Sequence, residues 1–233
     1  DVAACDVIFV AVPTPRRQDG TCHTDIVVSV VAALKKANAA ANIIIRSTVP
    51  PGTSKSLGVN FMPEFLTEAN ANQDFRENPL WILGAATLDQ KRSPSLQQLL
   101  TNAKTEGKIA SDSLTVLSPT EAELVKYVRN CFLAVKVAFF NELYDVCQQH
   151  GCGYDAVRLA ASADARIGSG HTLVPGPDGH RGFGGHCFPK DVAAWCTFNS
   201  QEHSIVDAAR KRNLELDRPE KDWEQDKGRA VVE

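Results

Sequence analysis

The sequence has no G-x-G-x-x-G between an early strand and its helix. Its nearest approaches, Gly182-Phe183-Gly184-Gly185 and Gly151-Cys152-Gly153, lie elsewhere, so neither qualifies as a pyrophosphate-binding fingerprint. It has no C-x-x-C either. The seven cysteines, at 5, 22, 131, 147, 152, 187 and 196, are odd in number, which argues against a disulfide framework or a zinc site and for a reducing compartment. Long apolar runs are missing: Val7-Ile8-Phe9-Val10-Ala11-Val12 is far too short to span a bilayer, and no basic-then-apolar leader opens the chain. A soluble, cytoplasmic protein with no membrane partner is expected. An excess of one charge sign is missing, with 25 Lys and Arg against 28 Asp and Glu, and no basic run carries interleaved aromatics, which excludes the usual footprint for nucleic acid. Repeats and low-complexity segments are absent. The single methionine is Met62, and the chain opens on Asp1 and enters a buried-type strand within a few residues, so an upstream part is expected to be missing. What remains, 233 residues of which 43% are hydrophobic, suffices for one large or two modest domains.

The most chemically loaded stretch is Gly182-Phe183-Gly184-Gly185-His186-Cys187-Phe188-Pro189-Lys190-Asp191. Its glycines permit positive φ and close approach of a ligand to backbone, and Pro189 suits the first turn of a helix continuing through Trp195. Cys187 is therefore expected just before a helix N-terminus. Unpaired N–H groups, the macrodipole and Lys190 would there favour a thiolate, and Asp191 could orient a water or take a proton. A cysteine buried as a small hydrophobe is the bland alternative.

The first half alternates strand and helix. Residues 6–12 form a continuous β-branched run that stops at Pro13-Thr14-Pro15. Thr24 and Asp25 can cap a helix with Ile26, Val30, Val31 and Leu34 on one face. Asn42-Ile43-Ile44-Ile45-Arg46 gives a second strand, ending in Ser47-Thr48-Val49-Pro50. Further strands are expected at 58–61, 80–84 and 114–117, with a helix over 95–103 and an irregular polar stretch between the third and fourth strands. Ligands of open parallel sheets bind beyond the strands' carboxyl ends, so Pro13-Thr14-Pro15, Ser47-Thr48 and Glu64-x-x-x-Glu68 are read as lining one cleft, although each alone could be an ordinary turn.

After Leu117 helices take over. Ser118-Pro119-Thr120-Glu121 is a capping box before a long amphipathic helix reaching His150, with Lys126 and Asn130 one turn apart on one face. A shorter helix over 154–163 precedes a long loop from Arg166 to Arg181, and residues 203–216 are read as helical. From Arg218 the chain is charged and is read as a surface tail. The fold class is α/β: a partial Rossmann-like parallel sheet over 1–117, an all-helical central and dimerisation domain over 118–216, and a tail over 217–233.

Taken together, these stretches resemble the UDP-glucose/GDP-mannose dehydrogenase family up to about Asn199. The loop from Gly182 to Asp191 is similar to its catalytic cysteine loop, and Pro63-Glu64-Phe65-Leu66-x-Glu68 to its segment for substrate and water. Val12-Pro13-Thr14-Pro15 and Ser47-Thr48-Val49-Pro50 are similar to its cofactor-contacting strand ends, and Glu123-Leu124-x-Lys126 with Asn130 to its central helix.

The resemblance implies NAD-dependent, four-electron oxidation of a nucleotide sugar's primary alcohol. UDP-glucose is the first substrate expected, with GDP-mannose or UDP-N-acetylmannosamine as alternatives. Cys187 would carry a thiohemiacetal and then a thioester. Lys126 and Asn130 would stabilise the oxyanion, Glu64 would act as base, and Asp191, Thr48 and Glu68 would hold the water. Pro13, Thr14, Pro15, Ser47, Thr48, Glu68 and Lys190 would contact the cofactor. Glu64, Phe65, Leu66, Lys126, Asn130, Arg166, Phe183 and Gly184 would contact substrate, with Arg166 completing a site across a homodimer. The family's glycine-rich pyrophosphate loop is absent from the sequence, so weak NAD binding is expected. A non-catalytic binder is one rival reading. A cysteine hydrolase using His186 or His150 is another.

Overall fold

The computed structural model describes residues 2–38, 40–67, 70–85 and 94–232. Contacts divide the chain into two compact units, residues 1–14 with 22–126, and residues 15–21 with 127–233. The sequence reading put its break at 117/118, where the last strand gives way to helix. The contact boundary falls further on, inside that helix.

The first unit is built on a five-stranded sheet whose spatial order follows the chain. Its strands are β1 (Val7–Val10), β2 (Asn42–Ile45), β3 (Asn60–Phe61), β4 (Trp81–Gly84) and β5 (Leu114–Leu117). Helices α1 (Asp25–Ala37), α2 (Thr53–Leu57), α3 (Ala71–Arg76) and α4 (Pro94–Thr105) connect them. β2 shows why the run Ile43-Ile44-Ile45 is apolar throughout. Successive strand side chains point to opposite faces, so Ile43 and Ile45 join Val27 and Val31 of α1 in one core, while Ile44 joins Leu96 and Leu100 of α4 in the other. A strand covered on both faces cannot alternate with polar residues.

The pairing is parallel except between β3 and β4, which run antiparallel through Phe61 and Gly84. The short helices α2 and α3 were not expected from the sequence. Gly84 is required by close packing rather than by φ: a Cβ there would lie 2.8 Å from both Ala122 Cβ and Pro119 Cα, inside any van der Waals contact.

Helix α5 (Pro119–Gln149) starts at the predicted capping box. Glu121 Oε2 accepts from Ser118 N at 2.7 Å, and Ser118 Oγ accepts from Glu121 N at 3.3 Å, which satisfies two amides at the helix start reciprocally. The second unit adds α6 (Tyr154–Ser162), α7 (Phe188–Phe198) and α8 (Ile205–Arg212), and α8 runs directly into a π-helical turn, Asn213–Asp217. Its core joins Cys131 and Ala134 of α5 to Val192 of α7 and to Phe183.

The stretch from Arg218 is not a surface tail. Arg218, Trp223 and Ala230 are buried. Arg16 N donates to Ala230 O, and Val232 N to Arg16 O, both at 2.9 Å, forming a short parallel bridge between Arg16 and Val231. Charge density misled the reading, because the charges here are paired: Arg218 with Asp178 and Asp222, and Arg16 with Glu224. Among the described residues no helix is long and apolar enough to cross a membrane, and no group of three or more His, Cys, Asp or Glu could hold a metal ion.

Candidate active site

In the first unit, the strand ends are tied to one another by side chains. Ser47 Oγ accepts from Val12 N at 2.8 Å and donates to Val12 O at 2.7 Å. The buried Cys22 Sγ lies 3.6 Å from Thr48 O and 3.9 Å from Thr14 O. The loops after β1 and β2 are thus held together, as a cleft at strand carboxyl ends requires. Ser47 spends its hydroxyl on this brace, so its contribution to a ligand is the shape of the loop. Thr48 remains partly exposed, while Thr14 is buried. Pro15 falls in the second unit.

Beyond the second strand end the chain is pinned by Glu123, which is fully buried on α5. Its carboxylate accepts from Gly52 N at 2.5 Å and from Ser54 N at 2.7 Å. Burial pushes its carboxyl above the usual range, against the pull of these hydrogen bonds. One turn on, Lys126 Nζ donates to Glu64 O at 2.5 Å and lies 5.9 Å from the Phe65 ring centroid. Lys126, Glu64 and Phe65 are therefore brought together. Glu64 and Leu66 also line an apolar cavity of about 430 Å³ with Trp81, Phe75 and Met62. Arg46 shares that cavity. Its guanidinium, 6.0 Å from the Phe9 ring, is lowered in pKa by burial, and the nearby Glu64 opposes that shift. Sequence reading passed over Arg46 as the end of a strand. Glu68 lies outside the described residues.

In the second unit, Cys187 is the N-cap residue of α7 and is exposed. Its carbonyl accepts from Asp191 N at 3.0 Å, and Pro189 stands in the helix's first turn, so the thiol occupies the end where helix amides and the macrodipole favour negative charge. Asp191 is fully buried. One carboxylate oxygen accepts from Asn130 Nδ2 and the other from Lys190 Nζ, each at 2.5 Å. The structure therefore makes Asp191 the residue that orients Asn130 and Lys190, rather than a free acceptor for water. Lys190 is likewise buried beneath the loop.

Phe183, expected to contact substrate, commits its ring to the core instead. Gly184 is partly exposed. Arg166 is 89% exposed and pairs with Asp164, which raises its pKa. The loop it opens is held by Lys136 Nζ on the carbonyls of Ile167 and Gly168, at 2.7 and 3.0 Å.

Known proteins resemble this chain in sequence and in fold. The family model of the UDP-glucose/GDP-mannose dehydrogenase NAD binding domain matches residues 1–104, and that of the central domain matches residues 120–215. A UDP-glucose 6-dehydrogenase from Rickettsia prowazekii is 35% identical over 201 residues, which cover 81% of this chain and 44% of that protein. One from Pseudomonas aeruginosa is 32% identical over 245 residues, 92% of this chain and 50% of that protein. The chain thus spans about half the length of the curated relatives it matches. The solved structure of a UDP-glucose dehydrogenase from the archaeon Pyrobaculum islandicum superposes with a TM-score of 0.77 at 33% identity, covering 91% of this chain and 51% of that one. With two models of one family matching it in succession, and a solved member reproducing its fold, the chain belongs to the UDP-glucose/GDP-mannose dehydrogenase family.

Proposed function

We propose that this protein is an NAD-dependent nucleotide-sugar 6-dehydrogenase that oxidises the C6 alcohol of UDP-glucose to a carboxylate. The observation that carries this reading is an exposed cysteine at the N-cap of α7, on a glycine loop within the family's central domain. The braced loops after β1 and β2, with Thr48 partly exposed, suit the reacting end of NAD, and Pro13, Thr14 and Thr48 would hold it. Two NAD molecules, bound in succession at this one place, would each accept one hydride, one per oxidation.

The chain's own residues then have defined tasks. The Cys187 sulfur adds to the aldehyde carbon left by the first oxidation, giving a thiohemiacetal. Loss of the second hydride from that carbon leaves a thioester, and water cleaves its C–S bond to release the carboxylate and return the thiol. The Lys126 ammonium stabilises the oxyanion, Asn130 adds a donor, and Asp191 keeps Asn130 and Lys190 oriented. Glu64 takes the proton of the attacking water.

Incubation with UDP-glucose, at NAD concentrations raised until a weak cofactor site is saturated, should yield two NADH per sugar, with less turnover of GDP-mannose and UDP-N-acetylmannosamine. No NADH from any of them would sink the dehydrogenase reading. Acyl release without NAD would instead favour a cysteine hydrolase, for which His186, 2.6 Å from Asp226 through Nδ1, would be the base.

The working form is a homodimer assembled along α5. Val128, Phe132, Phe139 and Val146 leave an apolar stripe on that helix, with Phe132 66% and Phe139 60% exposed, and their spacings of four and seven place them along one face. The double variant Phe132→Asp with Phe139→Asp should sediment as a monomer in analytical ultracentrifugation. A wild type that is itself monomeric at micromolar concentration would refute the dimer.

A further inference from the structure

The loop that presents Cys187 is held from outside by a segment more than twenty residues downstream. Asn213, buried at the start of the π-helical turn, grips the backbone of Phe183 from both sides. Its Oδ1 accepts from Phe183 N at 2.8 Å, and its Nδ2 donates to Phe183 O at 2.9 Å. A Cβ on Gly182, where φ is +66°, would lie 2.2 Å from Asn213 Oδ1, so the loop approaches this side chain as closely as bare backbone allows. Five residues on, the Arg218 guanidinium lies against Gly184, where an added Cβ would be 2.3 Å from its Cζ. Arg218 is fixed in turn by Asp178 at 2.6 Å and by a two-pronged pair with Asp222 at 2.6 and 2.7 Å. Asp226 holds His186, the residue before the cysteine. The turn itself is anchored by Asp217, buried and paired with Arg181 at 2.9 Å and Arg212 at 3.0 Å.

Resting on the reading of Cys187 as the nucleophile, we infer that Asn213 is a positioning residue: with Arg218 and Asp226 it fixes the backbone of residues 182–186 and thereby the place of the Cys187 sulfur. A side chain bonded to both the N–H and the C=O of one residue specifies that residue's position in a way a buried apolar residue cannot. The reason it bears on rate is geometric, since a misplacement of ~1 Å at a reacting group can cost on the order of 100-fold.

The test is site-resolved alkylation by iodoacetamide, with modification of Cys187 and of the exposed Cys152 followed separately by peptide mass spectrometry. Asn213→Asp keeps the size of the side chain and replaces the donor facing Phe183 O. It should slow Cys187 by at least ~10-fold, leave Cys152 unchanged, and lower kcat while KM for the nucleotide sugar stays within about twofold. Leu216→Ala, at an exposed position of the same turn, should change neither rate. Should Asn213→Asp not fold, Arg218→Lys, which keeps the charge but loses the fork beneath Gly184, is expected to slow Cys187 in the same selective way. A Cys187 rate indifferent to these substitutions overturns the positioning role, and so does equal slowing at Cys187 and Cys152, the mark of general loosening. A wild-type Cys187 that reacts no faster than Cys152 overturns the nucleophile reading itself, and the inference with it.

Discussion

Cys187→Ser is expected to stop the reaction at the first oxidation, with carboxylate formation falling by about three orders of magnitude, or ~4 kcal/mol of transition-state stabilisation. The argument lies in the thiol's chemistry and its place. A serine hydroxyl at the same N-cap is scarcely ionised near neutrality, whereas a thiolate at the start of α7 meets the free amides of the first turn. Fold and binding should survive the exchange, because the residue is exposed and the loop is held by its neighbours. Measured as NADH against carboxylate product, the variant should give at most one NADH per sugar and a trappable aldehyde. Full carboxylate formation at wild-type rate would remove Cys187 from the mechanism.

Glu123→Ala carries the largest expected loss of stability. It leaves the amides of the half-buried Gly52 and the buried Ser54 without their acceptor and opens a void on α5. Each unsatisfied amide costs about 1–3 kcal/mol, so a total near ~4 kcal/mol is expected by urea denaturation, a large share of the ~5–15 kcal/mol that a domain has. The loop carrying Thr48 should loosen with it, since the turn at Gly52 is its downstream anchor. Glu123→Gln tests the charge alone. Burial holds the folded carboxyl above the usual glutamate range, so the folded state takes up the proton first, and stability from that uptake is full below the unfolded value of about 4.3 and is lost as pH rises through the raised folded value. The advantage of wild type over Glu123→Gln should therefore shrink as pH rises from below about 4.3 and through the raised folded value. An advantage that grows over that window would show that the two amides outweigh burial.

Much of this was legible in the residues because it is local. The Ser118–Glu121 capping box, the β-branched runs and the placement of Cys187 at a helix start depend on neighbours within a few positions. Helices α2 and α3 were not foreseen, because five or six residues cannot display a 3.6-residue period. The antiparallel setting of β4 depends on where the connection from β3 returns, which no strand pattern encodes. The same holds for the functional supports. Glu123, Arg46 and Asn213 are ordinary polar residues in the sequence, and each acquires its task from partners distant along the chain, Asn213 from Phe183, Glu123 from Gly52 and Arg46 from Phe9 and Glu64. Family resemblance named Glu123 as part of the central helix without its task, and left Arg46 and Asn213 unmarked.

The bridge between Arg16 and Val231 bears on the order in which the protein can fold. Residues 15–21 are synthesised among the strands of the first unit, yet they belong to the second, and Arg16 pairs with Glu224, 208 positions later. A ribosome delivers roughly 5–20 residues per second, so this loop waits on the order of ten seconds or more for its partners. Through that interval Arg16 has only the local turn around it, held by Arg17 N on Thr21 O and by Asp19 on Thr21. Closure entropy grows only slowly with loop length, so it is the wait for residues 224–231, more than the length of the loop, that sets this bridge late among the contacts of the second unit.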